Sequence, residues 1–222
     1  MKLVKKKYIY LIDNFFPKSI IAGFTDTTLE GRDVVGDLTK VLEELRINAG
    51  IAFMDQTHSS LVNFVDRGGK YRADAIFTIQ KEVVLVVKTA DCLPLLFYEE
   101  KKGYIGVIHL GWRSAKLGIL NNINMDFSKG KVLAGVGLRK CCFRTGAEFI
   151  NYKELEQFLE KRESLYFDPI SFSLHSFLYK GVDRDNFVDL NICSFCNSLN
   201  FFSFRREKTE KRTLSFIVKL DS

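Results

Sequence analysis

The chain has 222 residues, of which 46% are hydrophobic, and its 33 Lys and Arg against 27 Asp and Glu give a net charge of +6. This length suits one large domain, so we expect residues 1–222 to form a single domain. No apolar stretch approaches the roughly 20 residues that a membrane span requires, so no membrane partner is predicted. The positive charge is not interleaved with aromatic residues in a basic stripe, so nucleic acid is not an expected partner either.

The N-terminal segment and the cysteines both predict a cytoplasmic location. The basic start resembles a signal peptide, but the apolar segment at residues 8–12 is too short and no small-residue cleavage site follows it. The five cysteines are an odd number, and two of them are adjacent, at Cys141 and Cys142. This pattern favours reduced thiols over a disulfide framework. Any cysteine with a special role is then expected to be catalytic or metal-bound.

Hydrophobic periodicity and turn residues predict a series of strands and helices. In chain order they are strands at 8–12 and 20–24, a helix at 37–47, strands at 83–87, 93–98 and 104–110, a helix capped by Ser114 and running to about 122, a strand at 131–138, an amphipathic helix at 148–161 and a strand at 215–220. Lys101, Lys102 and Gly103 are expected to form a hairpin turn. The central strands are almost continuously apolar, which is typical of strands covered on both faces. We therefore predict an α+β fold, a single layered domain with a mixed β-sheet flanked by helices in an α/β/α sandwich-like arrangement.

Two residues of metal-ligand type lie at the ends of neighbouring predicted strands, and a third lies upstream of them. Cys92 follows one apolar run, His109 ends the next, and His58 lies upstream in Gln56-Thr57-His58-Ser59. Imidazole nitrogen and thiolate sulfur are ligands that zinc prefers, and three protein ligands leave a fourth position open for water or substrate. The separations of 34 and 17 residues match no compact zinc-finger pattern. Each residue taken singly is also compatible with an ordinary structural role.

Two neighbouring residues add to this hypothesis. Arg113 lies where a strand leads into a helix, and a guanidinium there is suited to a phosphate or a carboxylate. An alternative is that Arg113 pairs with a structural carboxylate while Trp112 fills the core. Asp91 could orient a ligand histidine, act as a general acid or base, or cap a turn.

Several motifs, in this order, resemble the purine nucleoside phosphorylase family, whose members were formerly called laccase-domain or polyphenol oxidase proteins. The resemblance covers nearly the whole chain. It rests on Gln56-Thr57-His58-Ser59, Ala73-Asp74-Ala75, Thr89-Ala90-Asp91-Cys92-Leu93-Pro94, His109-Leu110-Gly111-Trp112-Arg113-Ser114, Gly135 with Cys141-Cys142, and Phe201-Phe202-Ser203-Phe204-Arg205-Arg206.

This resemblance implies an enzyme in which His58, Cys92 and His109 bind zinc. The implied reaction is phosphorolysis of adenosine, inosine or methylthioadenosine to ribose 1-phosphate and free base, with adenosine deamination as a further activity. It also implies a fold similar to that of the cytotoxic necrotizing factor deamidases. We expect the three ligands and Asp91 to be catalytic. The protein is expected to be a monomer or a homodimer. Substrate or phosphate contacts are expected from Arg113, Gln56 and Asp74.

The sequence departs from the family pattern at two motifs, and it is also shortened before His58 and before Phe201. The family's Phe-Thr-x-Arg motif appears here as Phe24-Thr25-Asp26-Thr27, so Thr27 replaces an arginine that would contact substrate or phosphate. Arg32 is a candidate to compensate. The usual Arg-Asp-Gly ending appears as Arg206-Glu207-Lys208.

Three other hypotheses stay open. A metal-independent cysteine hydrolase or deamidase would use Cys92 as nucleophile with His109, oriented by Asp74 or Asp91. A copper-binding phenol oxidoreductase is conceivable from two histidines and a cysteine, but a multicopper laccase needs many more histidines than the three present, of which His175 is the only spare.

The third is a binding module with a structural zinc. Its coordination shell would be completed by one of Cys141, Cys142, Cys193 or Cys196. The motif Cys193-Ser194-Phe195-Cys196 by itself resembles half a zinc finger or a redox pair, but the sequence contains no second pair at suitable spacing.

Overall fold

A computed structural model describes residues 1–197 and 201–221. The predicted domain 1–222 also includes residues 198–200 and 222, which lie outside this description. The described strands are β1 (Lys2–Lys6), β2 (Ile9–Asp13), β3 (Ile20–Thr25), β4 (Gly50–Met54), β5 (Val62–Phe64), β6 (Gly69–Tyr71), β7 (Ala75–Thr78), β8 (Val83–Thr89), β9 (Leu93–Glu99), β10 (Ile105–Leu110), β11 (Gly130–Ala134), β12 (Arg144–Thr145), β13 (Leu159–Lys161), β14 (Leu165–Phe167), β15 (Phe187–Asp189) and β16 (Thr213–Lys219). The described helices are α1 (Val34–Leu45), α2 (Trp112–Lys116), α3 (Lys153–Glu156), α4 (Pro169–Tyr179) and α5 (Phe204–Glu207).

Most of these strands belong to two mixed sheets. Seven described strands form one sheet in the order β1-β2-β3-β16-β8-β4-β6, and six form the other in the order β15-β11-β9-β10-β7-β5. In each sheet the central strands are antiparallel, and parallel pairs lie toward an edge, such as β4 with β6 and β5 with β7. The strands β12, β14 and β13 form a small separate sheet.

The two large sheets pack face to face, and helices cover their outer faces. Side chains such as Leu85 and Val107 fill the space between the sheets. On the outer face of the seven-stranded sheet, α1 buries Leu38 and Val41 against the strands. Helices α2 and α4 lie on the outer face of the six-stranded sheet, and α4 packs against it through Phe177. The α+β class with mixed strands flanked by helices is therefore confirmed, and the strands divide into two sheets within four layers.

The central strand predictions are confirmed. Residues 83–87, 93–98 and 104–110 fall on β8, β9 and β10, and the last two strands pair as an antiparallel hairpin. Gly103, in the connecting turn, has a φ of 72°, a left-handed conformation that glycine adopts without a steric penalty. The predicted strands at 8–12, 20–24 and 215–220 correspond to β2, β3 and β16. Continuous apolarity arises here because the strands lie between a neighbouring sheet and a helical layer.

The predicted helix at 148–161 is wrong. A 3-10 turn at Ala147–Asn151 is followed by the single turn of α3, and the chain then becomes β13, which pairs with β14. Tyr152, with φ −97° and ψ 90°, interrupts the helix and stacks on Trp112 at a ring separation of 5.9 Å. Aromatic packing and strand pairing therefore override the helical spacing of the apolar residues.

Three other boundaries also differ from the prediction. Helix α1 begins earlier than residue 37 because the Asp33 side chain caps it, accepting from the Gly36 amide at 3.0 Å. The helix predicted to run from Ser114 to about 122 is the short α2, which has Gly111 as its N-cap. The strand predicted at 131–138 ends at Ala134, because the chain then turns to pass close to Cys92.

Helix α4, whose N-cap is Asp168 and whose first residue is Pro169, was not predicted from the sequence. The short edge strands were not predicted either. No helix in the described part of the chain combines the length and apolar character needed to cross a bilayer.

Burial on α1 generates a test of the packing. Val41 is fully buried and Val35 is 48% exposed on the same helix. We expect Val41→Ala to lower the free energy of unfolding by about 2–3 kcal/mol through lost burial and the remaining cavity. Val35→Ala should change it by less than about 0.5 kcal/mol, because alanine is a better helix former than valine and little surface is lost. Urea denaturation of both variants measures the difference, and equal effects would contradict this packing of α1.

Candidate functional site

The candidate site lies where the chain crosses between the two large sheets. Three crossovers, β4 to β5, β6 to β7 and β8 to β9, each leave the seven-stranded sheet and enter the six-stranded one. They carry His58, Asp74 and Cys92 respectively. His109 lies near the end of β10, next to β9 in the six-stranded sheet. Residues far apart in sequence are therefore brought together by the way the sheets connect.

The three predicted ligands do lie together. His58 Nε2 is 3.7 Å from Cys92 Sγ, and the ligand atoms of His58, Cys92 and His109 all lie within 4.8 Å of one another. Tetrahedral zinc, with bonds of about 2.3 Å to sulfur and 2.0–2.1 Å to nitrogen, places two such atoms about 3.6 Å apart. The donor set and its spacing therefore fit a zinc ion with three protein ligands.

The carboxylate of Asp74 positions both histidines through hydrogen bonds. Its side chain is fully buried, and His109 Nδ1 donates to Oδ1 at 2.7 Å. The same carboxylate accepts the backbone N–H groups of Thr57 and His58, and both the N–H and the hydroxyl of Ser59. With Nδ1 occupied, His109 has its Nε2 available for a metal, which is the usual arrangement of a carboxylate behind a ligand histidine.

The predicted substrate contact by Asp74 is inconsistent with this burial. Five donors surround the carboxylate, so it positions other residues and does not reach into the cavity. The amides that converge on it also explain why His58 adopts a φ of 58°, a conformation that is uncommon outside glycine.

Electrostatics couple Asp74, His109 and Cys92. Burial alone would raise the pKa of Asp74, but hydrogen bonds from His109 and Ser59 lower it to about 2. Burial opposes the charged form of His109, yet the Cys92 thiolate and Asp74 raise the pKa of His109 to about 9. Burial likewise opposes the thiolate, but the charge of His109 and hydrogen bonds from both histidines lower the pKa of Cys92 to about 6. The cysteine is thus held as a thiolate, the form that binds metal or acts as a nucleophile.

Gly111 allows the ligands to approach one another. A Cβ at this position would lie 2.9 Å from His58 Cδ2 and 3.1 Å from Cys92 Sγ. Any side chain here would push both ligands away, so the glycine of the Gly-Trp-Arg motif is needed for space.

Asp91 does not face a histidine. Its carboxylate accepts the hydroxyls of Ser194 and Ser203 at 2.8 and 2.7 Å and the Arg205 amide at 2.6 Å. Asp91 is buried and has a φ of 93°. Neither histidine is among these partners, so of the alternatives for Asp91 the contacts favour a structural role, in which the carboxylate joins the Cys92 turn to residues 194–205. Its expected role as a general acid or base loses support, because three donors already engage the carboxylate.

Gln56 is also engaged by the protein. Its Nε2 donates to the Lys88 carbonyl at 2.8 Å, and its Oε1 accepts the Lys88 amide at 2.9 Å. The side chain thereby joins the His58 loop to β8. The substrate contact expected from Gln56 would therefore have to use the second hydrogen of its side-chain amide.

A cavity of about 580 Å³ opens over the three ligands, within the range of small-molecule sites, which is roughly 300–1,000 Å³. Five basic residues and two acidic residues line it. The basic residues are Lys88, Arg113, Arg205, Lys208 and Arg212, and the acidic ones are Asp55 and Asp91. Aromatic lining comes from Trp112, Phe143 and Phe204. The cavity therefore combines positive charge, suited to an anion, with aromatic faces, suited to a planar ring.

Arg113 lies in this cavity, as expected. Its guanidinium stacks over the Trp112 ring at 4.8 Å, and Trp112 in turn packs on Phe149. No carboxylate of the described residues lies within ion-pair distance of Arg113, so the alternative of a structural ion pair is not supported.

Sequence reasoning missed four of the five basic residues of the cavity. Arg205 is held by the Cys142 carbonyl, which accepts its Nη1 at 2.8 Å. It belongs to the Phe-Phe-Ser-Phe-Arg-Arg motif, and Lys208 belongs to the Arg-Glu-Lys segment that continues it, so these motifs were the available sequence signals. Arg32, the predicted substitute for the missing arginine at Thr27, is exposed, lies 3.6 Å from Glu30 and does not line the cavity. Arg212 does line it, from just before β16.

Comparison with known proteins identifies the family. A family model described as "Multi-copper polyphenol oxidoreductase laccase" matches residues 28–219. The chain belongs to this family. A protein from Campylobacter jejuni named purine nucleoside phosphorylase is 30% identical over 182 residues, covering 76% of this chain and 77% of that protein. One of the same name from Aquifex aeolicus is 28% identical over 172 residues, covering 74% and 81%.

A solved structure confirms the fold. YlmD from Geobacillus stearothermophilus superimposes with a TM-score of 0.87 at 21% identity, covering 98% of each chain. At this identity the likeness concerns the fold alone. The family's laccase description contrasts with the histidine content of this chain. Only three histidines are present, and His175 is exposed on α4 against Phe158, outside the three-ligand group.

The buried carboxylate provides a test of the site. We expect Asp74→Asn to lower the free energy of unfolding by about 2–4 kcal/mol, because an amide cannot accept from all five donors. Zinc affinity should fall about 10- to 100-fold as the histidines lose their support. Urea denaturation and competition with a chelating dye measure the two effects. Asp66→Asn, at an exposed carboxylate, is the matched control and should change neither. Wild-type stability and zinc affinity in Asp74→Asn would contradict the supporting role.

Proposed function

We propose that the protein is a zinc-dependent purine nucleoside phosphorylase, acting in the cytoplasm on adenosine, inosine or methylthioadenosine. The products are ribose 1-phosphate and the free base, and adenosine deamination is a second activity of the same site. The observation that carries this proposal is the placement of His58, Cys92 and His109 in the wall of a basic, partly aromatic cavity. The names of the two relatives support it.

Phosphorolysis requires phosphate to be held against the anomeric carbon of the sugar while positive charge develops there. Positioning and electrostatic stabilisation are then the main contributions of the protein. The guanidiniums of Arg113 and Arg205 are suited to hold the phosphate, since a planar fork can donate two parallel hydrogen bonds to it. Helix α2 has only five residues, so its dipole contributes little and the side chains carry this role.

The purine ring is planar and polarisable, and Trp112, Phe143 and Phe204 offer it faces or edges to stack on. His58, Cys92 and His109 would hold zinc beside the ring. When bound, the ion supplies Lewis-acid chemistry at its open position, which suits activation of water for deamination. Asp74 accepts the Nδ1 proton of His109, so that Nε2 would face the metal position and give up its own proton when the ion binds.

A second candidate function is supported by one specific observation. Cys92, His109 and Asp74 form a thiolate, imidazole and carboxylate series in which the cysteine pKa is lowered to about 6. This is the arrangement of a cysteine nucleophile with its base and orienting acid. The third ligand, His58, has no evident role in such a mechanism and distinguishes the two candidates.

Metal analysis combined with nucleoside conversion tests the proposed function. We expect His58→Ala and Cys92→Ala each to lose one equivalent of zinc relative to wild type. Chromatography measures the conversion of inosine to hypoxanthine and ribose 1-phosphate. We expect this activity to fall at least about 100-fold in each variant, because loss of a metal ligand costs more than loss of an outer-shell partner. His175→Ala, at the spare histidine, is the control and should retain both zinc and activity.

Replacing phosphate with another buffer should abolish ribose 1-phosphate formation but leave conversion of adenosine to inosine. The cysteine-hydrolase candidate would instead be favoured if His58→Ala contains the same amount of zinc as the wild type, the wild type shows no nucleoside conversion, and iodoacetamide alkylates Cys92 rapidly.

The phosphate contact can be tested separately. We expect Arg113→Gln to raise the KM for phosphate about 10- to 100-fold with little change in the KM for inosine, because a charge-assisted hydrogen bond is lost. Arg32→Gln, at an exposed arginine beside Glu30 and outside the cavity, should leave both constants unchanged. Steady-state kinetics with each substrate varied in turn measure this. A raised KM for inosine with an unchanged KM for phosphate would assign Arg113 to the nucleoside instead.

A further inference from the structure

The four cysteines that the proposed function does not use form a cluster of their own. Cys141 and Cys142 lie in a turn after β11, in which the Cys142 and Phe143 amides both donate to the Arg139 carbonyl at 2.9 Å. Cys193 and Cys196 lie in a second turn after β15. The two turns are joined through Gly137, which bridges to Cys193 and accepts the Ser194 amide at 3.0 Å.

The sulfur atoms of this cluster have the spacing of a tetrahedral tetrathiolate. All four lie within 4.8 Å of one another, and Cys141 Sγ is 3.8 Å from Cys196 Sγ. Zinc bound to sulfur at about 2.3 Å places two tetrahedral ligands about 3.8 Å apart. The binding-module hypothesis required one of these cysteines to complete the shell of the three-ligand site. The four cysteines instead form a separate group.

We propose that Cys141, Cys142, Cys193 and Cys196 form a second metal site that binds zinc with a closed, structural coordination. Four soft thiolates select zinc among the common divalent cations. Four protein ligands leave no position for substrate, which is the structural rather than the catalytic arrangement. The site does not depend on the proposed enzymatic activity.

The surroundings are suited to the charge of this site. Zinc with four thiolates carries a net charge of −2, so nearby cations and N–H donors stabilise it. The guanidiniums of Arg205 and Arg206 lie against the two turns, bonded to the Cys142 carbonyl and to the carbonyls of Ser194 and Phe195.

A metal bound by these four cysteines would stabilise the two turns that form one wall of the candidate active-site cavity. The turn containing Cys142 holds Arg205 through its carbonyl, and Ser194 in the other turn donates to Asp91, the residue before Cys92. Zinc bound to both turns would fix these contacts at a distance from the reacting groups. We therefore assign the cluster a positioning role for Arg205 and for the Cys92 turn.

The test counts metal on the folded full-length chain, kept reduced and supplied with zinc. We expect two zinc ions per wild-type chain by elemental mass spectrometry. Cys92→Ala, which removes a ligand of the three-ligand site, should keep one. Cys141→Ser combined with Cys196→Ser should also keep one. Cobalt-loaded Cys92→Ala should show thiolate-to-cobalt charge-transfer absorption of the strength given by four thiolates.

Alkylation of the wild type keeps the proposal testable even where a variant fails to fold. Cys141 and Cys196 are exposed to solvent, so both should become open to iodoacetamide once metal is removed. In the zinc-loaded wild type we expect peptide mass spectrometry to find both protected, with labelling rising at least about 10-fold after chelation.

Rapid labelling of these two cysteines in zinc-loaded protein would overturn the proposal, as would Cys92→Ala without bound zinc. A wild-type mass two or four hydrogens low, showing disulfides among the four cysteines under reducing conditions, would also overturn it. Because Cys92→Ala reports on the four-cysteine site alone, absence of nucleoside conversion would count against the proposed function and leave this result unaffected.

Discussion

The carboxylate of Asp74 is the interaction on which the candidate site depends. It is buried without exposure, yet it accepts from His109 and from the three consecutive residues that carry His58. A buried charge is costly unless it is fully hydrogen-bonded, and five donors meet that condition here. One side chain therefore sets the ring orientation of His109 and the left-handed backbone at His58. Cys92, the third predicted ligand, is stabilised as a thiolate by the two histidines that Asp74 positions.

A second buried carboxylate organises the opposite wall. Asp91 connects the Cys92 turn to Ser194, Ser203 and Arg205, which come from the C-terminal part of the chain. Arg139 reinforces this region by pairing with Asp189 at 2.6 Å and donating to the carbonyls of Gly135 and Gly137. The cavity is thus built between two acidic centres that are both satisfied internally. This arrangement leaves the basic side chains at its surface as the groups available to an anion.

The sequence predicted those features that follow from local chemistry. The apolar runs located β8, β9 and β10, ligand-type residues near their ends pointed to Cys92 and His109, and the upstream Gln-Thr-His-Ser segment pointed to His58. It misjudged features that depend on tertiary contacts. The apolar spacing at 148–161 was helical, but stacking of Tyr152 on Trp112 broke the helix. The partners of Asp74 and Asp91 could not be read from spacing, since donors to Asp91 lie more than 100 residues away. The cysteine cluster was hidden because 55 residues separate Cys141 from Cys196.

The three crossovers between the large sheets have a consequence for assembly. His58, Asp74 and Cys92 each belong to a segment that begins in one sheet and ends in the other, so the ligand triangle cannot exist before the sheets have docked. An ion that prefers this triangle binds only the native arrangement, and its affinity is then added to the free energy that holds the sheets together. Such an ion would cross-link the two sheets of the core. Loss of such an ion would loosen the contact between the sheets beside the cavity, and starvation for metal would then shorten the lifetime of the folded chain.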